Sequence, residues 1–192
     1  MPKVFEEYKE LARKKIIDAA IEVFNEKGYH KTTMNDIGKK IGTSKGALYL
    51  YFPTKESLFR EIINQWQMNV QQMMTVAFED QIGVNSLENL FNLILADTND
   101  NFKLGCEVIA EAFRIPSIKD VMKEYYSSNV TILSNLLKNQ YIGKSNRPDT
   151  DTFSKSVSIF ALLIGLIGSL ILDENAENVK KTWSNSIRLI LS

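Results

Sequence analysis

The sequence predicts an all-α protein: an N-terminal three-helix helix-turn-helix domain over residues 1–54, then a larger helical body over 55–192, about nine helices in all. Three observations carry this. Apolar residues recur at helical spacing from end to end, with no competing strand alternation. The 192 residues include only 9 Gly and 4 Pro, few turn formers for a chain of this length. Helix start and stop residues bracket each periodic stretch.

The first helix runs from about Glu6 to Lys27, with Ile16, Ala20, Val23 and Phe24 on one face and Gly28 as its stop. Thr33 and Asp36 have the spacing of a capping box opening a second, short helix, which Gly42 ends. Ser44 caps a third, SKGALYLYF, which must stop before Pro53. The fourth, from about Thr54 to Phe78, carries Phe59, Ile62, Ile63, Trp66, Val70, Met73 and Met74, and reaches about 36 Å. A turn is expected over 80–85. Leu87, Leu90, Phe91 and Ile94 then mark a fifth helix, which DTNDN (97–101) interrupts. Phe102, Cys106, Ile109 and Phe113 mark a sixth, closed by Pro116. Ser117 and Asp120 form a second capping-box pattern before a long seventh helix, and 143–149 read as a loop. The eighth helix is strongly apolar. The ninth places Val179, Trp183, Ile187 and Leu191 on one side.

Composition narrows the function. One cysteine, Cys106, forms no internal disulfide, and a single histidine, His30, removes most catalytic triads and His-based metal sites. No nucleophile–base pattern, metal-ligand spacing or phosphate-binding glycine loop appears, so neither an enzyme nor a cofactor is expected. Net charge is zero, yet residues 1–60 hold 12 Lys/Arg against 8 Asp/Glu, and residues 61–192 hold 11 against 15. The basic excess sits at the N-terminus, where a phosphate surface would need it. The start of the chain is charged, without the apolar core of a signal peptide. Ser156 to Leu172 is uncharged, but its 17 residues span about 25 Å, less than a bilayer core of about 30 Å. It reads as a helix buried on all sides rather than a membrane span, and a cytoplasmic location follows.

The most specific stretch is TMNDIGKKIGTSKGALYLYFPTKESL, residues 33–58. Ile37, Ile41, Ala47, Leu48 and Phe52 can pack inward on Ile17, Ile21 and Phe24. The third helix then shows Thr43, Ser44, Lys45, Gly46, Tyr49 and Tyr51 outward, a polar, basic and aromatic face of a size that fits a major groove. Tyr and Lys there supply phosphate contacts, and Gly46 lets the backbone come close.

This segment resembles the helix-turn-helix of the TetR family of transcriptional regulators, through Thr33, Ile37, Gly42, Ser44, Gly46, Leu48, Tyr49, Tyr51, Phe52, Lys55 and Leu58. The resemblance is specific over about residues 10–60. Gly38 and Thr43 depart from it, standing where the family has Ala and an apolar residue. The resemblance implies that Thr33, Tyr49, Tyr51 and Lys55 hold phosphates of double-stranded DNA, while Thr43, Ser44, Lys45 and Gly46 meet base edges. It implies a homodimer on a palindromic operator, paired through Phe160, Ala161, Ile164, Gly165, Ile167, Ser169, Ile171, Trp183 and Ile187. It also implies a small, largely apolar effector among Trp66, Met73, Phe91, Phe102, Cys106, Phe113 and Tyr125, and a repressor as the output. Residues of these types also fill ordinary cores. Glu107 and Glu111, one turn apart, are candidates for a cationic ligand or a solvated face, and Arg114 for an anionic ligand. The rival readings are a helical ligand-binding or scaffold protein without DNA binding, and a membrane-inserted helical protein.

Overall fold

The computed structural model describes residues 3–79, 83–141, 151–172 and 175–192, without the side chains of 3–6, 98–103, 139–141 and 171. The predicted loop at 143–149 and part of the predicted turn at 80–85 lie outside the described residues. Among the described residues there are eight helices and no strand: α1 (Lys3–Lys27), α2 (Met34–Lys40), α3 (Lys45–Tyr49), α4 (Lys55–Ala77), α5 (Val84–Ala112), α6 (Pro116–Tyr141), α7 (Thr152–Ile171) and α8 (Ala176–Leu191).

The local signals act as read for the first four helices, except that the third is shorter than SKGALYLYF: α3 ends at Tyr49 with Leu50 as its C-cap. Gly28 (φ 78) and Gly42 (φ 70) end α1 and α2 in the left-handed conformation that glycine adopts without strain. Thr33 caps α2 in a complete capping box with Asp36. Two readings fail. The predicted fifth and sixth helices are one continuous helix, α5, across DTNDN. Asp and Asn are only mild helix breakers, and the stretch lacks the Gly or Pro needed to stop a helix flanked by strong periodicity. Ser117 does not cap α6 either. The helix starts one residue earlier, with Pro116 at its first position and the Ile115 carbonyl accepting from the Ile118 and Lys119 amides. Proline suits that position because it lacks only an amide hydrogen that would have no helical partner.

The chain packs as two compact units, 1–66 with 98–123, and 67–97 with 124–192. In the first, Ile16, Ile17, Ala20, Val23 and Phe24 of α1 are buried together with Met34, Ile37, Leu48, Phe52, Leu58, Phe59, Ile62 and Ile63. Leu104 and Val108 of α5 and Ile118 and Val121 of α6 complete this core. Phe24, Tyr29 and Phe59 form an aromatic cluster with centroids 4.4–5.6 Å apart.

In the second unit α7 packs on α8. Phe91 and Trp183 stack with centroids 4.6 Å apart, and the Trp183 indole N–H donates to the Leu87 carbonyl at 3.1 Å. Burial of side chains this large contributes about 1.5–3 kcal/mol each. α7 is not buried on all sides as expected. Its stretch Thr152–Leu170 is long and apolar enough to cross a membrane, and only 22% of it is buried.

Candidate nucleic-acid interface

α3 is set by three local devices. Ser44 is extended (φ −79, ψ 150), and its hydroxyl oxygen accepts the Ala47 N–H at 3.2 Å. Gly42 makes the turn, and the Thr43 N–H then donates back to the Gly38 carbonyl at 2.8 Å. That close return explains Gly38: a Cβ there would stand 2.8 Å from the Thr43 carbonyl oxygen.

The expected inside and outside faces of α3 are present. Leu48 is 0% exposed and Phe52 is buried, whereas Ser44, Lys45, Gly46 and Tyr49 are exposed and Thr43 and Tyr51 half-buried. The Lys45 ammonium lies 5.5 Å from the Tyr49 ring centroid. Leu50, absent from the predicted contact set, is 83% exposed at the same end. Arg13, also missed, ties the turn after α3 to α1 and α4. Its guanidinium donates to the Tyr51 carbonyl at 3.4 Å, sits 4.6 Å from the Phe52 ring centroid and pairs with Glu61 at 3.6 Å. No short-range pattern reveals a contact between residues 38 positions apart.

Two predicted phosphate contacts are otherwise engaged. Thr33 donates its hydroxyl hydrogen to Asp36 at 2.6 Å and its backbone N–H to the same oxygen at 2.9 Å, so both its donors serve the cap. The Lys55 ammonium donates to the Tyr29 and Thr32 carbonyls at 2.7 and 3.0 Å and lies 4.1 Å from the Tyr29 ring centroid. Burial lowers the Lys55 pKa from its ordinary value. Lys55 therefore binds the α1–α2 turn here, with one of its three ammonium hydrogens left over. Glu107 and Glu111, read as ligand candidates, point to the same turn: Glu107 accepts the Tyr29 N–H at 2.7 Å, and Glu111 lies 2.9 Å from His30 and 3.4 Å from Arg114.

Residues 16–62 match the family of bacterial regulatory proteins of the TetR type. The chain's N-terminal domain belongs to the TetR family. Across nearly the whole chain it is similar to the HTH-type transcriptional regulator UidR of Escherichia coli strain K12, at 27% identity over 176 residues, 90% of this chain and 86% of that one. It is also 28% identical over 88 residues to IcaR of Staphylococcus epidermidis, the negative regulator of the biofilm operon icaADBC; the match spans 46% of this chain and 48% of IcaR. The fold matches a transcriptional regulator of Saccharomonospora viridis crystallised with choline, with a TM-score of 0.79 at 19% identity over 93% of this chain and 96% of that one. This TetR-type chain is thus a DNA-binding transcriptional regulator rather than a scaffold without DNA binding.

The other TetR-type assignments fare unevenly. Of the effector set, Trp66, Cys106 and Phe113 fall in the first unit and Met73, Phe91 and Tyr125 in the second. Phe91 is a core residue stacked on Trp183. Phe113 is 88% exposed, and Cys106 is exposed rather than a core filler. The Phe102 side chain lies outside the described residues. Trp66 and Met73 are half-buried. Tyr125 is half-buried as well, and desolvation pushes its phenol up to about 12.

Of the pairing set, Phe160, Ile167, Trp183 and Ile187 are buried within the chain itself. Ala161, Ile164 and Gly165 are exposed, Ser169 is half-buried with its hydroxyl bonded to the Leu166 carbonyl, and the Ile171 side chain lies outside the described residues. Helical periodicity marks which residues share a face, and not whether that face is covered from within or by a second copy.

Proposed function

We propose that this regulator is a cytoplasmic repressor that binds a palindromic operator as a homodimer and leaves it when a small, largely apolar effector binds residues of 55–192. Residues 1–54 are the DNA-binding part. The carrying observation is the two-sided segment 44–52: Leu48 of α3 and Phe52 just past it anchored inward, and Ser44, Lys45, Gly46 and Tyr49 presented outward at and along a capped helix. Thr43, Ser44, Lys45 and Gly46 meet base edges, and Tyr49 and Tyr51 the phosphates. Thr33 and Lys55 frame the turn that places them. The repressor output is supported by IcaR, a negative regulator, and a small-molecule effector by the choline-bound fold neighbour. Met73 and Tyr125 of the second unit are the effector contacts this reading retains, and Ala161, Ile164 and Gly165 the pairing contacts.

Selection of duplexes from a random-sequence library by the full chain tests it. The expected product is a two-fold symmetric site with half-sites about one helical turn or a multiple apart, bound with affinity that falls steeply with salt. Lys45→Ala should then change the preferred sequence. Recovery of no enriched duplex would refute the reading.

A further inference from the structure

We infer that Glu107, on α5 and outside the matched segment, is a positioning residue for DNA binding: its carboxylate holds the turn that follows α1, from which α2 and α3 are hung. The inference rests on the duplex-binding reading above. α1 ends with the Gly28 N–H donating to the Phe24 carbonyl at 2.7 Å, the simple left-handed termination. In the fuller form of that motif the next residues also bond back onto the helix. Here the Tyr29 N–H leaves α1 and donates to Glu107 Oε2 at 2.7 Å, across 78 positions of sequence.

Gly28 is required by its φ of +78, and Glu107 Oε1 would lie 3.3 Å from an added Cβ, close enough that the carboxylate would have to give way. From that point the turn is built by short links. The Thr32 N–H and hydroxyl both donate to the Gly28 carbonyl, at 3.2 and 2.8 Å, and Thr33 follows as the α2 cap. α2 is bonded to the α3 turn through the Gly38 carbonyl. One helical turn along α5, Glu111 (4% exposed) holds His30 at 2.9 Å, and Lys55 grips the Tyr29 and Thr32 carbonyls from α4. Glu107, Glu111, the turn and α3 all belong to one compact unit.

An acceptor at the right reach is what Glu107 supplies, so reach and charge can be separated in the full chain. Glu107→Gln keeps an oxygen at that reach and loses the charge. Glu107→Asp keeps the charge and falls short by one methylene. Against a duplex selected by the wild-type chain, at one salt concentration, Glu107→Gln should bind within about twofold of wild type. Glu107→Asp should bind at least about tenfold more weakly, the scale set by leaving the Tyr29 N–H without its acceptor. Undiminished binding by Glu107→Asp, or equal losses in both variants, would overturn the inference. Amide hydrogen exchange of Tyr29 gives a second readout that does not depend on how well Glu107→Asp folds. It should stay as slow in Glu107→Gln as in wild type, and a freely exchanging Tyr29 amide in a Glu107→Gln chain of full affinity would overturn the inference equally. A wild-type chain that selects no duplex would instead be a failure of the functional reading itself.

Discussion

Two glycines eight positions apart carry opposite demands. Gly38 is buried in α2, where alanine would gain about 0.5–1 kcal/mol of backbone entropy. The added Cβ, however, would meet the Thr43 carbonyl oxygen at 2.8 Å, and that atom belongs to the backbone of the turn. Forcing atoms into a packed site costs about 1–3 kcal/mol, so Gly38→Ala should destabilise the chain by about 1 kcal/mol and lower its thermal midpoint. A raised midpoint would show that the turn yields more easily than its hydrogen bond implies. Gly46 is the reverse case. Its nearest neighbour to an added Cβ is Ser44 Oγ at 3.9 Å, and it is exposed. The fold itself does not require glycine there, so Gly46→Ala should leave the thermal midpoint unchanged or slightly higher. If the backbone of α3 closes on a duplex, the same change should weaken binding about tenfold, since one lost close contact of 1.4 kcal/mol is that factor. Unchanged binding would mean that this end of α3 stands off from the bases.

At the scale of elements, α2 is held by charge as well as by packing. The Lys27 ammonium 2.8 Å away, then the Thr33 hydroxyl and N–H, hold the Asp36 carboxyl well below the usual carboxylate range. A carboxyl whose pKa is lower folded than unfolded stabilises the fold above the unfolded pKa of about 3.9, and that contribution is lost as pH falls further. The thermal midpoint of wild type should therefore exceed that of Asp36→Asn near about pH 6, and the gap should narrow steadily as pH falls below about 4. A gap that does not depend on pH would exclude the ion pair as its source. Lys55 acts on the neighbouring turn, and Lys55→Met should cost about 2 kcal/mol by removing two charge-assisted hydrogen bonds, read by denaturant unfolding. An unchanged midpoint would return Lys55 to the role of a free phosphate clamp. These elements also show what the sequence discloses. Caps, left-handed glycines and the two faces of α3 are legible because each depends on residues within four positions. Arg13 on Tyr51, Lys55 on Thr32 and Glu107 on Tyr29 were not legible, because they join residues 23 to 78 positions apart whose meeting only the folded chain decides.

For the whole molecule, the open question of composition is the apolar surface of the last two helices. Ile164 is 40% exposed on α7, and Leu172 and Leu189 are 82% and 77% exposed. Beside Ile164, Ala161 and Gly165 offer small side chains, and a Cβ at Gly165 would meet nothing within 4 Å of its own chain. Such a face permits close approach of a second helix, and leaving it in water favours association. Ile164→Asp places a charge on that face at an exposed position of α7, so it should leave helix content intact and shift the chain from dimer to monomer in sedimentation velocity. Trp183→Ala offers the contrast. It removes a ring buried against Phe91 and should cost about 3–5 kcal/mol of folding stability, lowering the unfolding midpoint rather than merely dissociating a dimer. If two linked copies of α3 engage two half-sites, losing the pairing also loses the effective concentration that links them, a factor of about 10²–10⁴. Ile164→Asp should therefore weaken operator binding at least about a hundredfold while a single half-site duplex is bound as by wild type. A variant that stays dimeric, or that binds the full site undiminished as a monomer, would move the pairing surface away from α7.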